Sequence, residues 1–287
     1  MPRGNHETPE EVYLNGRFFP IEEARISPLD RGFLYGDGIF TTIRAEQGHV
    51  LYLKDHLERL RQSLTELKLP LSSSVEKWEA TLAELLQRNR LEKETASLKI
   101  VVTRGQSAML GLPDTGQATV VVYATRYEPP ASSRYRTGYR LHVFRGGFSP
   151  PLSRLKSLNY LYHLTARQAA LDVGADEAVM LDVQGRLAET AAGSLLIRTA
   201  GAWWTPHSAY QLPGITLRHV MKILEDAGLS VARRSADAAD LFSAETIWVL
   251  NSLIGVMPVA QVDHRLVAAP APEEAGRLRA QFFAQGR

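Results

Sequence analysis

The chain has 287 residues, with 33 basic side chains against 31 acidic ones and no cysteine. Nearly cancelling charge argues against a nucleic-acid or membrane surface, and the missing cysteines exclude disulfides, thiolate metal ligands and cysteine nucleophiles. A chain of this length buries a large core and divides most naturally into one or two domains. The polar residues 1–10 lack the apolar stretch of a signal peptide, and the densest apolar run, residues 118–124, is too short to span a bilayer, so a soluble cytoplasmic protein is expected. Residues 12–19 read as a hairpin turning at Asn15-Gly16. Leu57, Leu60, Leu64 and Leu67 fall at helical spacing, as do Val75, Trp78, Leu82, Leu85 and Leu86, which predicts two amphipathic helices packed on a sheet. Residues 97–103 and 118–124 read as strands. Residues 127–133, Tyr-Glu-Pro-Pro-Ala-Ser-Ser, form the clearest break in composition and are predicted to be an extended linker between a small domain, 1–126, and a larger one, 134–287. Beyond it come a strand at 139–145, a helix at 158–173 stopped by Gly174, and strands at 177–182 and 194–198. A helix at 216–227 ends before Gly228, and a buried strand at 246–250 leads into Asn251-Ser252. No internal repeat is present. The pattern predicts a two-domain α/β or α+β fold.

Several motifs fail on inspection. Gly36-Asp37-Gly38 lacks the third glycine of a dinucleotide loop, and Gly193-Ser194 lacks the rest of a nucleophile elbow. There is no Walker loop and no His-Glu-x-x-His, and the eight histidines lack metal-ligand spacing, so no metal is expected and His56 reads as a packing or hydrogen-bonding group. Lys156 and Glu189 stand out instead. Pyridoxal phosphate needs an amine to form a Schiff base and a carboxylate to keep its ring nitrogen protonated, so that the ring accepts electrons. Its phosphate needs amides, hydroxyls and an arginine. Leu212-Pro-Gly-Ile-Thr216 opens a helix with free amides at Ile215 and Thr216; Asn251-Ser252 adds an amide and a hydroxyl, and Arg59 a charge. Each piece alone also has a plain reading: a surface lysine, a carboxylate at a turn, an ordinary helix start, a solvated arginine.

Taken together and in order, Asp30-Arg-Gly-Phe-Leu-Tyr-Gly-Asp-Gly-Ile-Phe-Thr-Thr-Ile-Arg44, His56-Leu-Glu-Arg-Leu60, Lys156-Ser-Leu-Asn159, Glu189-Thr190, Gly214-Ile-Thr216 and Asn251-Ser252 through Pro258-Val259 resemble the fold-type IV (class IV) pyridoxal-phosphate enzymes. These are the branched-chain aminotransferases, D-amino acid aminotransferases and 4-amino-4-deoxychorismate lyases. The resemblance implies the two-domain D-amino acid aminotransferase-like fold with pyridoxal 5'-phosphate between the domains. It makes Lys156 the Schiff-base lysine and Glu189 the partner of the pyridine nitrogen. Arg59, Ile215, Thr216 and Ser252 would hold the phosphate, and Tyr160 would lie near the ring hydroxyl. It further implies a homodimer whose partner subunit helps close the site near Tyr35 and the 107–112 loop, and a small-molecule amino substrate.

Within the family, Thr41 stands where aminotransferases commonly carry glutamate. The segments 98–105 and 251–259 look like the lyases, and Met109 replaces the arginine with which D-amino acid aminotransferases grip a substrate carboxylate. The chain is therefore most similar to an aminodeoxychorismate lyase, releasing pyruvate and the folate precursor 4-aminobenzoate, with Thr41 or a nearby hydroxyl protonating the leaving group. A class IV aminotransferase acting on branched-chain or D-amino acids with 2-oxoglutarate is the alternative, and a non-catalytic relative the third reading. Ser194, Leu196 and Leu217 depart from the family pattern, and Lys99 and Arg104 are the remaining candidates for the substrate carboxylate.

Overall fold

The computed structural model describes residues 8–69, 74–114 and 117–287. The chain forms two compact units: Met1–Pro129, Leu155–Asn159 and Gly286–Arg287 make the first, Pro130–Arg154 and Tyr160–Gln285 the second. The units are thus not the two continuous stretches expected, because the segment carrying Lys156 returns to the first.

In the first unit, β1 (Glu11–Leu14) and β2 (Arg17–Pro20) form the predicted hairpin. Asn15 and Gly16 both have positive φ, at 49° and 96°, the conformation that a two-residue turn between right-twisted strands demands. Next come α1 (Arg31–Tyr35), β3 (Gly38–Glu46), β4 (His49–Val50), α2 (Leu53–Glu66), α3 (Val75–Arg88), β5 (Thr95–Thr103) and β6 (Thr119–Arg126). Among the described residues they build a six-stranded antiparallel sheet of order β2-β1-β6-β5-β3-β4. Leu57, Leu60 and Leu64 of α2 and Trp78, Leu82 and Leu85 of α3 bury their apolar stripes against Ile39, Ile43, Leu98 and Ile100. β4 pairs only with the far end of β3, at Ala45 and Glu46. The near end takes its partner from the Lys156 segment: Phe40 N donates to Lys156 O (3.1 Å), Leu158 N to Gly38 O (2.9 Å), and Ile39 bridges Ser157. Backbone groups left over at a sheet edge thereby recruit a distant stretch of chain. Gly38 permits this crowding, since a Cβ there would lie 2.8 Å from Leu158 Cδ1 of that segment and 2.5 Å from Val102 O of β5.

The second unit opens with α4 (Ser132–Thr137), a short helix where the end of an extended linker was expected. It continues through β7 (Tyr139–Val143), α5 (Leu161–Asp172), β8 (Glu177–Leu181), β9 (Leu187–Thr190), β10 (Ser194–Thr199), β11 (Ala202–Pro206), α6 (Ile215–Asp226), β12 (Val231–Arg234), β13 (Thr246–Asn251), β14 (Gly255–Val262), β15 (Arg265–Leu266) and α7 (Pro272–Gln285). Among the described residues, the sheet runs β12-β11-β10-β13-β14-β7-β8-β9, with β15 on β14. Its pairings are mixed: β7 lies parallel to β8 and β14, and β10 antiparallel to β11 and β13. Continuously buried strands such as β8, Glu-Ala-Val-Met-Leu, show that both faces are covered. Among the described residues no helix is long and apolar enough to cross a membrane.

Candidate active site

Lys156 sits at φ 53°, in the left-handed region where a side chain costs about 1–3 kcal/mol. The two backbone bonds to β3 hold it there. Its Nζ lies 4.6 Å from the centroid of the Phe40 ring, and Lys99 Nζ lies 4.5 Å from the same ring. Lys99 pairs with Thr42 across β3 and β5, so the pleat puts Phe40, Thr42 and Lys99 on one face of the sheet. Burial pushes the Lys99 amine below the usual lysine range.

The same alternation turns Thr41 to the opposite face, toward α2. Its Oγ1 is 2.8 Å from His56 Nδ1 and accepts from Arg59 Nη2 at 3.2 Å. Thr41 and His56 are both buried. The Thr41 hydroxyl is thus engaged with His56 and Arg59 of α2, on the face of β3 opposite to Phe40.

Arg104 is not available to a substrate carboxylate. It is completely buried, and all five of its N–H donors are occupied: Nε and Nη2 by Asp37, Nη2 also by Leu67 O, Nη1 by Lys68 O and Pro113 O. Asp37 in turn accepts from Arg31 Nε at 2.8 Å. Burial alone would raise the Asp37 pKa, but the guanidiniums of Arg104 and Arg31 outweigh it and hold the carboxyl below its ordinary value. Tyr35 is exposed, with the Arg31 guanidinium 5.1 Å over its ring. Arg31 also donates to Met109 O (2.6 Å) and Gly111 O (2.8 Å), binding α1 to the following loop.

The second unit carries the remaining candidates. Glu189, opposite Met180 in the β8–β9 pair, is 4 % exposed and accepts from Leu212 N at 3.3 Å. Tyr160 donates to Ala191 O at 2.8 Å, and burial pushes its phenol well above the usual range. Ile215 and Thr216 open α6. The first amides of a helix have no carbonyl one turn back, and no side chain caps this helix at Gly214. Thr216 Oγ1 is buried without a hydrogen-bond partner. A Cβ at Gly214 would stand 2.4 Å from Ser194 Oγ, so glycine here leaves room for that hydroxyl. Ser252 follows β13 in a turn fixed by Asn251, whose Oδ1 accepts from Leu253 N and Ile254 N. Of the departures from the family pattern, Ser194 packs on Gly214, while Leu196 and Leu217 are buried core residues.

An orphaned hydroxyl beside uncapped helix amides suits a phosphate, a buried carboxylate suits a protonated ring nitrogen, and a lysine amine supplies the group for covalent attachment. The residues present therefore fit pyridoxal phosphate. Sequence reading passed over Phe40 as the surface that both lysines approach, and over His163, whose Nε2 is 3.8 Å from Glu189 Oε1. The signal for His163 was its i, i+3 spacing from Tyr160 at the start of a helix.

A family model described as amino-transferase class IV matches residues 38–262. A putative branched-chain-amino-acid aminotransferase of Methanocaldococcus jannaschii is 32% identical over 261 residues, 90% of this chain and 89% of that protein. The aminodeoxychorismate lyase of Bacillus subtilis is 28% identical over 258 residues, 88% of this chain and 86% of that one. Among solved structures, a T.th. branched-chain amino acid aminotransferase with pyridoxamine 5'-phosphate superposes with a TM-score of 0.85 at 28% identity, covering 96% of this chain and 93% of the other. Nearly complete coverage on both sides, with the site residues inside the matched span, has one meaning: this chain belongs to the class IV aminotransferase family of pyridoxal-phosphate-dependent enzymes.

Proposed function

We propose that the protein is an aminodeoxychorismate lyase, converting 4-amino-4-deoxychorismate to 4-aminobenzoate and pyruvate. The observation that carries this reading is Thr41. A neutral hydroxyl, bonded to His56 and Arg59, occupies the position where the aminotransferases that this chain resembles carry a glutamate. The relatives include proteins named for both activities, and the M. jannaschii protein named as a branched-chain aminotransferase keeps transamination as the second reading.

Pyridoxal phosphate, when bound, supplies an electron sink that stabilises negative charge at the carbon bearing the substrate amine. In our reading Lys156 is its attachment point, and the Lys156 amine, once released, removes the proton from that carbon. Glu189 holds a proton on the cofactor's ring nitrogen. By the family resemblance, Ile215, Thr216 and Ser252 would hold the phosphate with Arg59, whose guanidinium donates to Thr41, itself beside His56. Tyr160 would lie near the ring hydroxyl. Lys99, a desolvated cation on the Phe40 ring, meets a substrate carboxylate; Arg104, with its donors occupied, does not. The two products together contain all the atoms of the substrate, so no second reactant is required.

We also infer a homodimer. Leu29, Phe33, Leu34, Tyr35, Met109 and Leu110 are large apolar side chains exposed at 45–88 % on α1 and the loop that Arg31 ties to it. So much apolar surface in one place favours a partner.

The test is to incubate the holoenzyme with 4-amino-4-deoxychorismate and, separately, with branched-chain and D-amino acids. Stoichiometric 4-aminobenzoate and pyruvate are expected, abolished in Lys156→Ala. Conversion of the cofactor to its pyridoxamine form by an amino acid, with keto-acid release and no 4-aminobenzoate from the first substrate, would establish the transaminase instead.

A further inference from the structure

We propose that His163 is a positioning residue for Glu189, holding that carboxylate in place and aimed; the inference rests on the assignment of Glu189 to the cofactor nitrogen. Glu189 is bracketed. Oε2 accepts from Leu212 N at 3.3 Å, and Oε1 faces His163 Nε2 at 3.8 Å. The second distance is too long for a hydrogen bond, so the imidazole bounds the carboxylate as a neighbouring polar edge rather than as a direct donor.

The ring cannot swing away. It lies flat on Tyr160, with centroids 4.3 Å apart and planes within 5°, and edge-on to Tyr162 at 6.2 Å and 83°. Tyr160 is itself tied to Ala191 O, two residues beyond Glu189. The structure thus runs as a closed brace from Ala191, just past β9, through two stacked rings at the start of α5 and back to the carboxylate. His163 is 5% exposed, and its Nδ1 has no hydrogen-bond partner. Burying a ring nitrogen unpaired is costly, which a packing role alone does not explain, because a phenylalanine would fill the same slot without that cost. The other charged pair acting on Tyr160 is Arg167 with Glu177, and Arg167 Nη1 is committed to Glu177 Oε2 at 2.5 Å. The imidazole is therefore left to answer Glu189.

Two variants separate the nitrogens from the ring. His163→Phe keeps a flat ring on Tyr160, and His163→Gln keeps a polar donor. Each is loaded with pyridoxal phosphate, and the visible absorption band, its pH titration, the cofactor dissociation constant, kcat and KM are measured. His163→Phe is expected to move the titration midpoint by about half a pH unit or more. It should also lower kcat about ten-fold with KM changed less than about two-fold, and His163→Gln should recover most of that loss. If His163→Phe does not accumulate folded, His163→Asn, too short to reach Oε1, replaces it with the same expectations. A band, midpoint and kcat identical to the parent, alongside a large change in Glu189→Gln, overturn the role of His163. No spectral change in Glu189→Gln overturns the assignment of Glu189 itself, and this inference with it.

Discussion

Lys99, in the middle of β5, and Arg104, just past its end, lie five residues apart and show how far a side chain's surroundings decide its use. Lys99 presents a desolvated amine to the Phe40 ring beside Lys156, whereas every donor of Arg104 is taken by Asp37 and main-chain carbonyls. Charge-assisted contacts are worth about 1.5–3 kcal/mol. Lys99→Met should therefore lower kcat/KM for the carboxylated substrate about ten- to a hundred-fold while leaving the bound cofactor's visible band in place. A cofactor lost together with activity would move Lys99 to the cofactor instead. Thr216 makes the opposite kind of statement. Its hydroxyl is buried and unpaired, so Thr216→Val should raise the melting temperature of the cofactor-free protein, by removing a penalty of about 1 kcal/mol or more, and weaken pyridoxal-phosphate affinity. Calorimetry of the free protein with a cofactor titration checks both directions; a drop in melting temperature would mean that the hydroxyl is satisfied within the protein.

At the scale of elements, the pairing of Asp37 with Arg31 and Arg104 joins the turn after α1 to the end of β5. Removing one partner of a buried ion pair leaves the other charge unanswered and costs about 3–5 kcal/mol. Asp37→Asn should destabilise the fold by that order in denaturant titration, with the m-value unchanged. Because the folded state holds Asp37 ionised below the pH where a free aspartate titrates, its contribution is complete above the ordinary carboxylate range. It disappears as pH falls through the depressed folded pKa. The acid limb of the stability curve should flatten in Asp37→Asn. An unchanged limb would show that Asp37 does not set it.

For the whole molecule, the expectation is a dimer. The apolar cluster on α1 and the loop near Met109 is the proposed contact, and a charge placed in such a contact typically costs about 2 kcal/mol or more. Phe33→Asp and Leu110→Asp, measured by sedimentation, should shift the protein toward monomer, with Lys156 still able to capture the cofactor. A parent protein that sediments as a monomer at all concentrations would refute the homodimer.

Helix and strand positions were legible where apolar residues repeat clearly at 3.6 or 2.0 residues, as at Leu57-Leu60-Leu64 and along β5, because periodic burial is a local property of the chain. The chemical roles of Lys156, Glu189 and Arg59 were legible only as a resemblance between ordered motifs, since a lone lysine or carboxylate looks like any other. α1, α7 and the strands β3, β11 and β14 escaped prediction: α1 is a five-residue helix capped by Asp30, α7 a helix whose apolar side chains are sparse, and β3 and β14 are buried on both faces along most of their length, so they show no simple alternation. Sequence alone determined the family, the cofactor it requires and the periodic elements. Tertiary structure alone decided that the Lys156 segment would complete β3, that Arg104 would be consumed by Asp37, that Thr41 would turn toward α2, and that His163 would stand beside Glu189. Each of those depends on backbone or side-chain groups far apart in the chain finding one another once water is excluded, and no local pattern records such a meeting.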